Sequence, residues 1–436
     1  MDEWWNILVP ADPLMLWTLA VALATNVACS LIGCYLVLRR MSLLGDALAH
    51  AVLPGLVVAF LFTGTLAIGA MFVGAFVAAV ATTFLTQTLH RQGGIAQDAS
   101  MGIVFTSLFA LGVVLIKRYG EHVHIDAQCV LEGNLSLVTS SMIEIGGYEA
   151  PRAFFSILPV LLLNLATILL LWKELKITSF DSALATILGF RSNLIHYLLM
   201  GLVAATTVGS FEAVGSILVV AMLIVPAAAA HLLCDRLGWM LVTAAIIGAL
   251  SAYGGFVASL VVETEPAGMM AVTGGLLYAL AFLFSPRHGV VAAVVRNSRT
   301  TLRIVSEDLL ALLFRLEELA TARRLGPREA VQAVGGGFLP RLGLWLLARQ
   351  RFVVAAPQLQ LTDAGRRRAA QLVRSHRLWE TYLVQSLGLP ADHVHAPAER
   401  MEHFIDERMR EELATDLGEA ARDPHGRDIP GQTTAS

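Results

Sequence analysis

Nine apolar runs dominate the first two thirds of the chain, near residues 14–38, 47–64, 66–87, 100–116, 155–172, 194–210, 213–233, 238–262 and 267–285. A run of about 20 apolar residues crosses a hydrocarbon core of about 30 Å as a helix. No water is available there to satisfy the backbone, so helices are the predicted spanning element. Some boundaries merge, and the pattern predicts eight or nine spans. Glycine recurs inside the runs, as close helix packing in membranes favours. Between the fifth and sixth runs the pattern breaks. Residues 173–193 place polar side chains ahead of Phe180, Leu184, Ile187 and Leu188 on a helical spacing. This predicts a short amphipathic helix outside the bilayer, docked on a partner protein or lying in the interface.

Beyond residue 300 the pattern changes. Leu309, Leu310, Leu313, Leu316 and Leu319 mark one helix over 304–325. Residues 326–365 read as helix, turn and helix, then a two-stranded ribbon (RFVVAAPQLQLT) turning near Ala356–Pro357. A long helix follows from Ala364 to Leu387, and the tail after about 430 is predicted to be disordered. The outline is a winged helix-turn-helix with a helical segment behind it.

Composition agrees with the pattern. Hydrophobic residues make up 56% of the 436, charged residues 15%, and mean hydropathy is +0.67. Soluble domains carry roughly 25% charged residues. The net charge of −3 says little, but its distribution separates a charge-poor membrane part from an Arg-, Glu- and Asp-rich soluble part. Cys29, Cys34, Cys129 and Cys234 form no CxxC pair and read as small apolar fillers. Met1 to Pro13 holds two acids and no base, so it does not read as a cleavable signal peptide. Basic residues at Arg39–Arg40, Lys117–Arg118 and Lys173–Lys176 do not fit one side under simple alternation. Arg287, Arg296, Arg299 and Arg303 after the last run place the C-terminal part in the cytoplasm.

No GxxxxGK[ST] phosphate loop occurs, so a pumped transporter of this sequence needs its motor on another chain. The segment RRMSLLGDALAHAVLPGL, residues 39–56, carries Asp46 and His50 four apart, on one helix face. A carboxylate and an imidazole in an apolar helix are costly unless paired or solvated. They suit a divalent transition metal; on chemistry alone an Asp–His hydrogen bond stabilising the bundle, or a cap at Asp46, accounts for them somewhat better. Asn26, Asp98, Asp126 and Glu212 read as structural, with Asp98 capping the helix GIVFTSLFALGVVLI.

Three stretches, RRMSLLGDALAHAVLPGL, QDASMGIVFTSLFALGVVLI and EAVGSILVVAMLIVPAAAAHLL, resemble the permease subunits of manganese, zinc and iron ABC importers, the ABC-3 family. The resemblance covers about residues 10–288. It implies a permease dimer (homo- or heterodimer), cytoplasmic ATPases, an extracytoplasmic metal-binding protein and a bacterial inner-membrane location. It makes Asp46 and His50 pathway ligands and residues 173–193 the ATPase-coupling segment.

In the soluble part, SHRLWETYLVQSLGLPADHVHAPAERMEHFIDERM and then DPHGRDIP are similar to the metal-dependent repressors of the diphtheria-toxin-repressor family. His376 and Glu380 are four apart on one predicted helix. Glu399, Glu402 and His403 stand at i, i+3 and i+4 on another, so all three are expected to converge. Asp308 lies on the first helix of the domain. Oxygen and nitrogen donors without a thiolate suit a fairly hard divalent ion. The resemblance implies a manganese-type set of Asp308, His376, Glu399, Glu402 and His403, and an ancillary set containing Glu380 and His395. Where the manganese-type pattern has a further Glu, this chain has Ala311.

The helix GGGFLPRLGLWLLARQ offers Arg341 and Arg349 but few side chains able to read bases. This argues against sequence-specific DNA binding. Its apolar face (Phe338, Leu342, Leu344, Trp345) suits packing on another protein surface.

The expectation is therefore an all-α polytopic membrane domain over 1–290. A winged-helix (304–365) plus helical metal-sensing (366–430) domain follows. The chain is expected to be no enzyme itself but the permease of an ATP-driven importer of a divalent metal, manganese favoured over zinc or iron, with transport regulated by metal. The alternative is a membrane-tethered, metal-responsive transcription regulator.

Overall fold

The structure, a computed structural model, describes residues 12–64, 68–119, 135–145, 148–319, 325–354, 358–418 and 420–431. Asp126, Cys129, the turn near Ala356–Pro357 and the tail beyond 431 lie outside the described residues. Two compact units are present, residues 1–292 and 293–436.

The first unit is a helical bundle. Its helices are α1 (Pro13–Leu38), α2 (Leu43–Ala51), α3 (Leu53–Thr63), α4 (Ile68–Gly93) and α5 (Gln97–Tyr119). A hairpin of β1 (Met142–Ile145) and β2 (Tyr148–Pro151) precedes α6 (Arg152–Leu170). Then come α7 (Trp172–Phe180), α8 (Ser182–Ile187), α9 (Ser192–Val214), α10 (Ser216–Leu233), α11 (Leu237–Val262) and α12 (Pro266–Phe284). Among the described residues eight helices are long and apolar enough to span a membrane, and Leu218–Leu233 forms a shorter apolar helix. Eight of the nine sequence runs thus become full-length spans. The protein is multi-pass.

Helix α1 is the axis of the bundle. Val21, Ala22, Ala28, Cys29, Ile32, Cys34, Tyr35 and Leu36 are fully buried on it, while Phe62 and Leu170 elsewhere lie open, as lipid-facing side chains do. Gly33 permits the closest approach. A Cβ there would collide with the carbonyl oxygen of Leu223 on α10. Gly33→Ala is expected to push these two helices apart and to cost roughly 1–3 kcal/mol. Thermal unfolding of the purified protein in detergent would read this as a lowered midpoint, and an unchanged midpoint would refute the close contact.

Two expectations need correction, and a third is refined. The second run is the 20-residue span Leu44–Thr63, as expected, but its hydrogen-bond ladder is interrupted at Val52, between α2 and α3. Pro54 has no N–H to give the carbonyl of His50, so the helical ladder is interrupted there. Residues 173–193 form two short helices rather than one. Asp181 ends α7 and its side chain accepts from the N–H groups of Ala183 and Leu184 to start α8. Asp98 sits in the first turn of α5 rather than at its cap, because the helix starts at Gln97. An acid there still meets the positive end of the helix dipole.

Some buried polar residues of the bundle pair with one another. Asn164 Nδ2 donates to Thr206 Oγ1 at 2.8 Å, and Cys29 Sγ lies 3.5 Å from Ser210 Oγ. Asn26 is buried with no hydrogen-bond partner among the described residues.

The second unit holds α13 (Val290–Glu318) from Ala293 on, α14 (Pro327–Ala333), α15 (Phe338–Arg349), an antiparallel pair β3 (Val353–Val354) and β4 (Gln360–Leu361), and then α16 (Asp363–Gln385), α17 (His395–Met401) and α18 (Glu407–Asp416). Helix α13 is longer than the leucine pattern suggested, beginning at Val290. Leu309, Leu310, Leu313, Leu344, Leu347 and Val353 pack one small core, and Leu378, Ile405, Leu413 and Ile429 another. On α15 the expected apolar face divides. Leu344 turns inward, whereas Phe338 and Trp345 stay exposed, with the Arg349 guanidinium 5.3 Å from the Trp345 ring centroid.

Candidate metal sites

The break at Val52 ends α2 just after His50. The Nε2 of His50 lies 3.6 Å from Asp46 Oδ1, beyond hydrogen-bonding distance, and both side chains are partly accessible. The His50 ring rests against Phe105 and Phe109 of α5, centroids 6.1 and 5.6 Å away. Two aromatic side chains thus flank the imidazole beside a carboxylate.

The second unit gathers acids and imidazoles in two groups. In the first, His403 Nε2 lies 3.1 Å from Asp308 Oδ1 on α13 and 3.8 Å from Glu402 Oε1. In the second, His376 Nε2 lies 3.0 Å from Glu380 Oε1 and 3.1 Å from His395 Nδ1, which is itself 2.9 Å from Glu380 Oε1. Within each group the candidate ligand atoms lie within 4.8 Å of one another. His376 joins the groups, because its Nδ1 hydrogen-bonds Glu402 Oε2. Helix α16 supplies His376 and Glu380 one turn apart, both almost fully buried. Buried acids of this kind need partners; those of Glu380 are imidazole nitrogens, suited to a divalent metal, whereas Glu402 also has the Arg315 guanidinium 3.7 Å away.

Glu399 does not join. Helix α17 ends at Met401; Glu402 is its C-cap, and Phe404 N–H bonds back to Met401 O in a tighter turn. The expected i, i+3, i+4 convergence therefore fails. Glu402 and His403 turn inward and Glu399 remains exposed, in neither group.

Sequence reasoning missed two participants. Glu307, on α13, accepts from His403 Nδ1 at 2.9 Å and from Arg368 NH2 at 2.8 Å. It orients the imidazole from behind, a role that a ligand's outer partner commonly fills. Its signal is a buried acid beside Asp308 on an otherwise leucine-rich face. Ala311, where the manganese-type pattern has a Glu, packs against Leu372 and Val373. The other participant is His425, whose Nε2 lies 3.9 Å from Glu380 Oε1. It is aimed by a turn in which Asp423 Oδ1 accepts from the N–H groups of His425 and Arg427. Buried Arg377 holds this segment to α16 through the carbonyl of Asp428 and through Asp423, and joins α16 to α13 through Glu318.

The electrostatics follow. Burial alone would lower the His403 pKa, but hydrogen bonds to Asp308 and Glu307 and the nearby Glu402 charge outweigh it and raise it to about 9. His376 is raised in the same way, with burial opposing its bonds to Glu380 and Glu402. Burial would raise Glu380, yet its hydrogen bonds from His376 and His395 bring it down to about 2. A histidine raised above its ordinary 6.5 stabilises the fold fully below that pH and loses the contribution as pH climbs through about 9. The metal-free second unit is therefore expected to lose stability between pH 6.5 and 9, whereas excess Mn2+, replacing the proton, should flatten the loss. Hydrogen exchange of α16 and α17 amides in the full protein reads this; protection that rises with pH in metal-free protein would contradict it.

Comparison with known proteins agrees with both halves. Residues 11–285 match the family model described as the ABC 3 transport family, and residues 362–431 match that described as the iron dependent repressor, metal binding and dimerisation domain. The manganese transport system membrane protein MntD of Bacillus subtilis is 47% identical over 282 residues, covering 64% of this chain and 95% of the relative. A probable metal transport system membrane protein of Chlamydia trachomatis is 28% identical over 446 residues, covering 95% of this chain and 96% of the relative. Among solved structures, PsaBC from Streptococcus pneumoniae in complex with Fab is similar with a TM-score of 0.56 and 29% identity, over 66% of this chain and 97% of that one.

Proposed function

The chain belongs to the ABC 3 transport family, and from that premise we propose that it conducts a divalent metal, manganese first among manganese, zinc and iron, into the cytoplasm by way of Asp46 and His50. It is a permease and not an enzyme; ATP is hydrolysed by a separate subunit. The observation that carries the reading is the Asp46–His50 pair, held inside the second span by Phe105 and Phe109. The interruption before Pro54 frees the His50 carbonyl beside the same pair, and freed backbone at membrane depth is tolerated where protein buries it or a cavity receives it. Two donors do not complete a transition-metal shell. Water or the second permease subunit supplies the rest, and such a site must hold the ion loosely enough to release it.

The partners follow from the same reading. A cytoplasmic ATPase docks on α7 and α8, where Phe180, Leu184, Ile187 and Leu188 are exposed. An extracytoplasmic protein delivers the metal, and the second unit lies in the cytoplasm. There the groups around His403 and His376 bind the same class of ion. The donor set fits, being wholly oxygen and nitrogen with no thiolate. Bound metal stabilises one arrangement of the unit over another and so throttles uptake, which requires different metal affinities in the two states.

The test is elemental analysis of cells expressing this chain with its ATPase and binding protein. Selective accumulation of manganese is expected; no metal accumulation by an assembled complex would remove the transport reading. Deletion of residues 304–436 is expected to leave initial uptake intact and abolish its decline as internal metal rises. Identical kinetics of the full and shortened chains at every metal level would remove the feedback. The outward Phe338 and Trp345 on α15 suit a protein contact better than a DNA groove.

A further inference from the structure

A cavity of about 510 Å³ opens where α1, α4, α5, α7, α8 and α9 meet. Its wall is cationic and polar, with Arg39, Arg40, His90, His196, Gln87 and Asn193 among its lining and no Asp or Glu. Among the described residues, Arg39 and Arg40 form no ion pair with a carboxylate. Arg39 is instead held by neutral acceptors: its guanidinium donates to Thr178 Oγ1 at 2.9 Å and to Ser179 Oγ at 3.3 Å, with His196 Nδ1 3.3 Å away. A half-buried guanidinium without a counter-charge is unusual, because desolvated charges are normally paired.

Two further features act in the same sense. The 23-residue α9 begins here, and no side chain caps it; Ser192 and Asn193 of its first turn line the cavity. An open helix N-terminus favours negative charge. Arg40 adopts φ of 57°, in the left-handed region. It is the αL residue of the turn that ends α1, in which Met41 N–H bonds Leu36 O and Arg40 N–H bonds Val37 O. Two consecutive arginines are thereby turned to one cavity directly after a span.

We propose that this cavity binds a phosphate-bearing anion, received by the Arg39 and Arg40 guanidiniums and the amino end of α9. Arginine forks match phosphate oxygens geometrically. The phosphate belongs either to a lipid headgroup, since the cavity adjoins the end of α1, or to a free ion. Because Thr178, Ser179, Ser182 and Thr186 also line the cavity, the bound anion ties α7 and α8 to the ends of α1 and α9. This proposal rests on neither metal site.

The test is thermal unfolding of the full chain in a non-ionic detergent. It is titrated with inorganic phosphate and, separately, with micelles carrying phosphatidylglycerol or phosphatidylcholine. A saturable rise in midpoint of roughly 2–4 °C is expected. A rise with phosphatidylglycerol alone assigns a lipid headgroup, and a rise with inorganic phosphate assigns a free ion. Arg40→Gln, an exposed position, and His90→Gln are each expected to weaken the response at least about fivefold in concentration, the loss of a charge-assisted contact. No saturable rise with either probe, a rise that chloride reproduces at equal ionic strength, or an undiminished response in both variants would overturn the proposal.

Discussion

Replacing Asp46 or His50 with alanine is expected to lower metal accumulation at least roughly tenfold and up to about a hundredfold. Losing even an outer partner of a ligand costs that much in metal proteins. The two positions are not equivalent in kind. His50 is braced by Phe105 and Phe109, so its removal leaves a void as well as a missing donor. Asp46 supplies the only formal negative charge of the pair, without which a dication meets an apolar wall. Asp46→Asn keeps the shape and removes the charge. If charge is what admits the ion, this variant falls nearly as far as Asp46→Ala. If the pair merely stabilises the bundle, both variants lose protein from the membrane. Uptake is therefore normalised to the amount of assembled complex. Full uptake by assembled Asp46→Ala would sink the pathway assignment.

The spans were legible because lipid imposes a severe rule: apolar length and internal hydrogen bonding. Eight runs met it outright. The break at Val52 was written in Pro54, but periodicity does not register one missing donor. The split at Asp181 is likewise local chemistry, an Asx cap competing with a continuing helix. In the second unit, the i, i+4 spacing of His376 and Glu380 worked because α16 is long and regular. The same reasoning failed for Glu399, Glu402 and His403. Spacing arguments assume that the helix continues, and α17 stops at Met401. Ile405 must reach the cluster of Leu378, Leu413 and Ile429, and Asp406 must cap α18 by accepting from Met409 N–H. Those demands are tertiary, and no short window contains them. Glu307 and His425 were hidden for the same reason, being recruited from 96 and 45 residues away along the chain from His403 and Glu380.

The join between the two groups sets the second large effect. His376 offers Nδ1 to the Glu402 side and Nε2 to the Glu380 and His395 side. His376→Ala is therefore expected to remove metal binding from both groups at once, taking two bound ions to none at concentrations about a hundredfold above those that saturate the wild type. Asp308→Ala and Glu380→Ala should each cost one ion, and Glu399→Ala neither. His376→Ala also strips buried Glu402 and Glu380 of a shared partner, and breaking a buried pair costs roughly 3–5 kcal/mol. His376→Gln separates the two consequences: its amide retains a hydrogen bond within the same space, restoring much of the stability while binding stays impaired. Metal stoichiometry on the purified full-length protein, read beside its thermal unfolding, distinguishes these cases. Should His376→Ala lose one ion while keeping the other at wild-type affinity, the two groups are independent, and a single imidazole does not couple them.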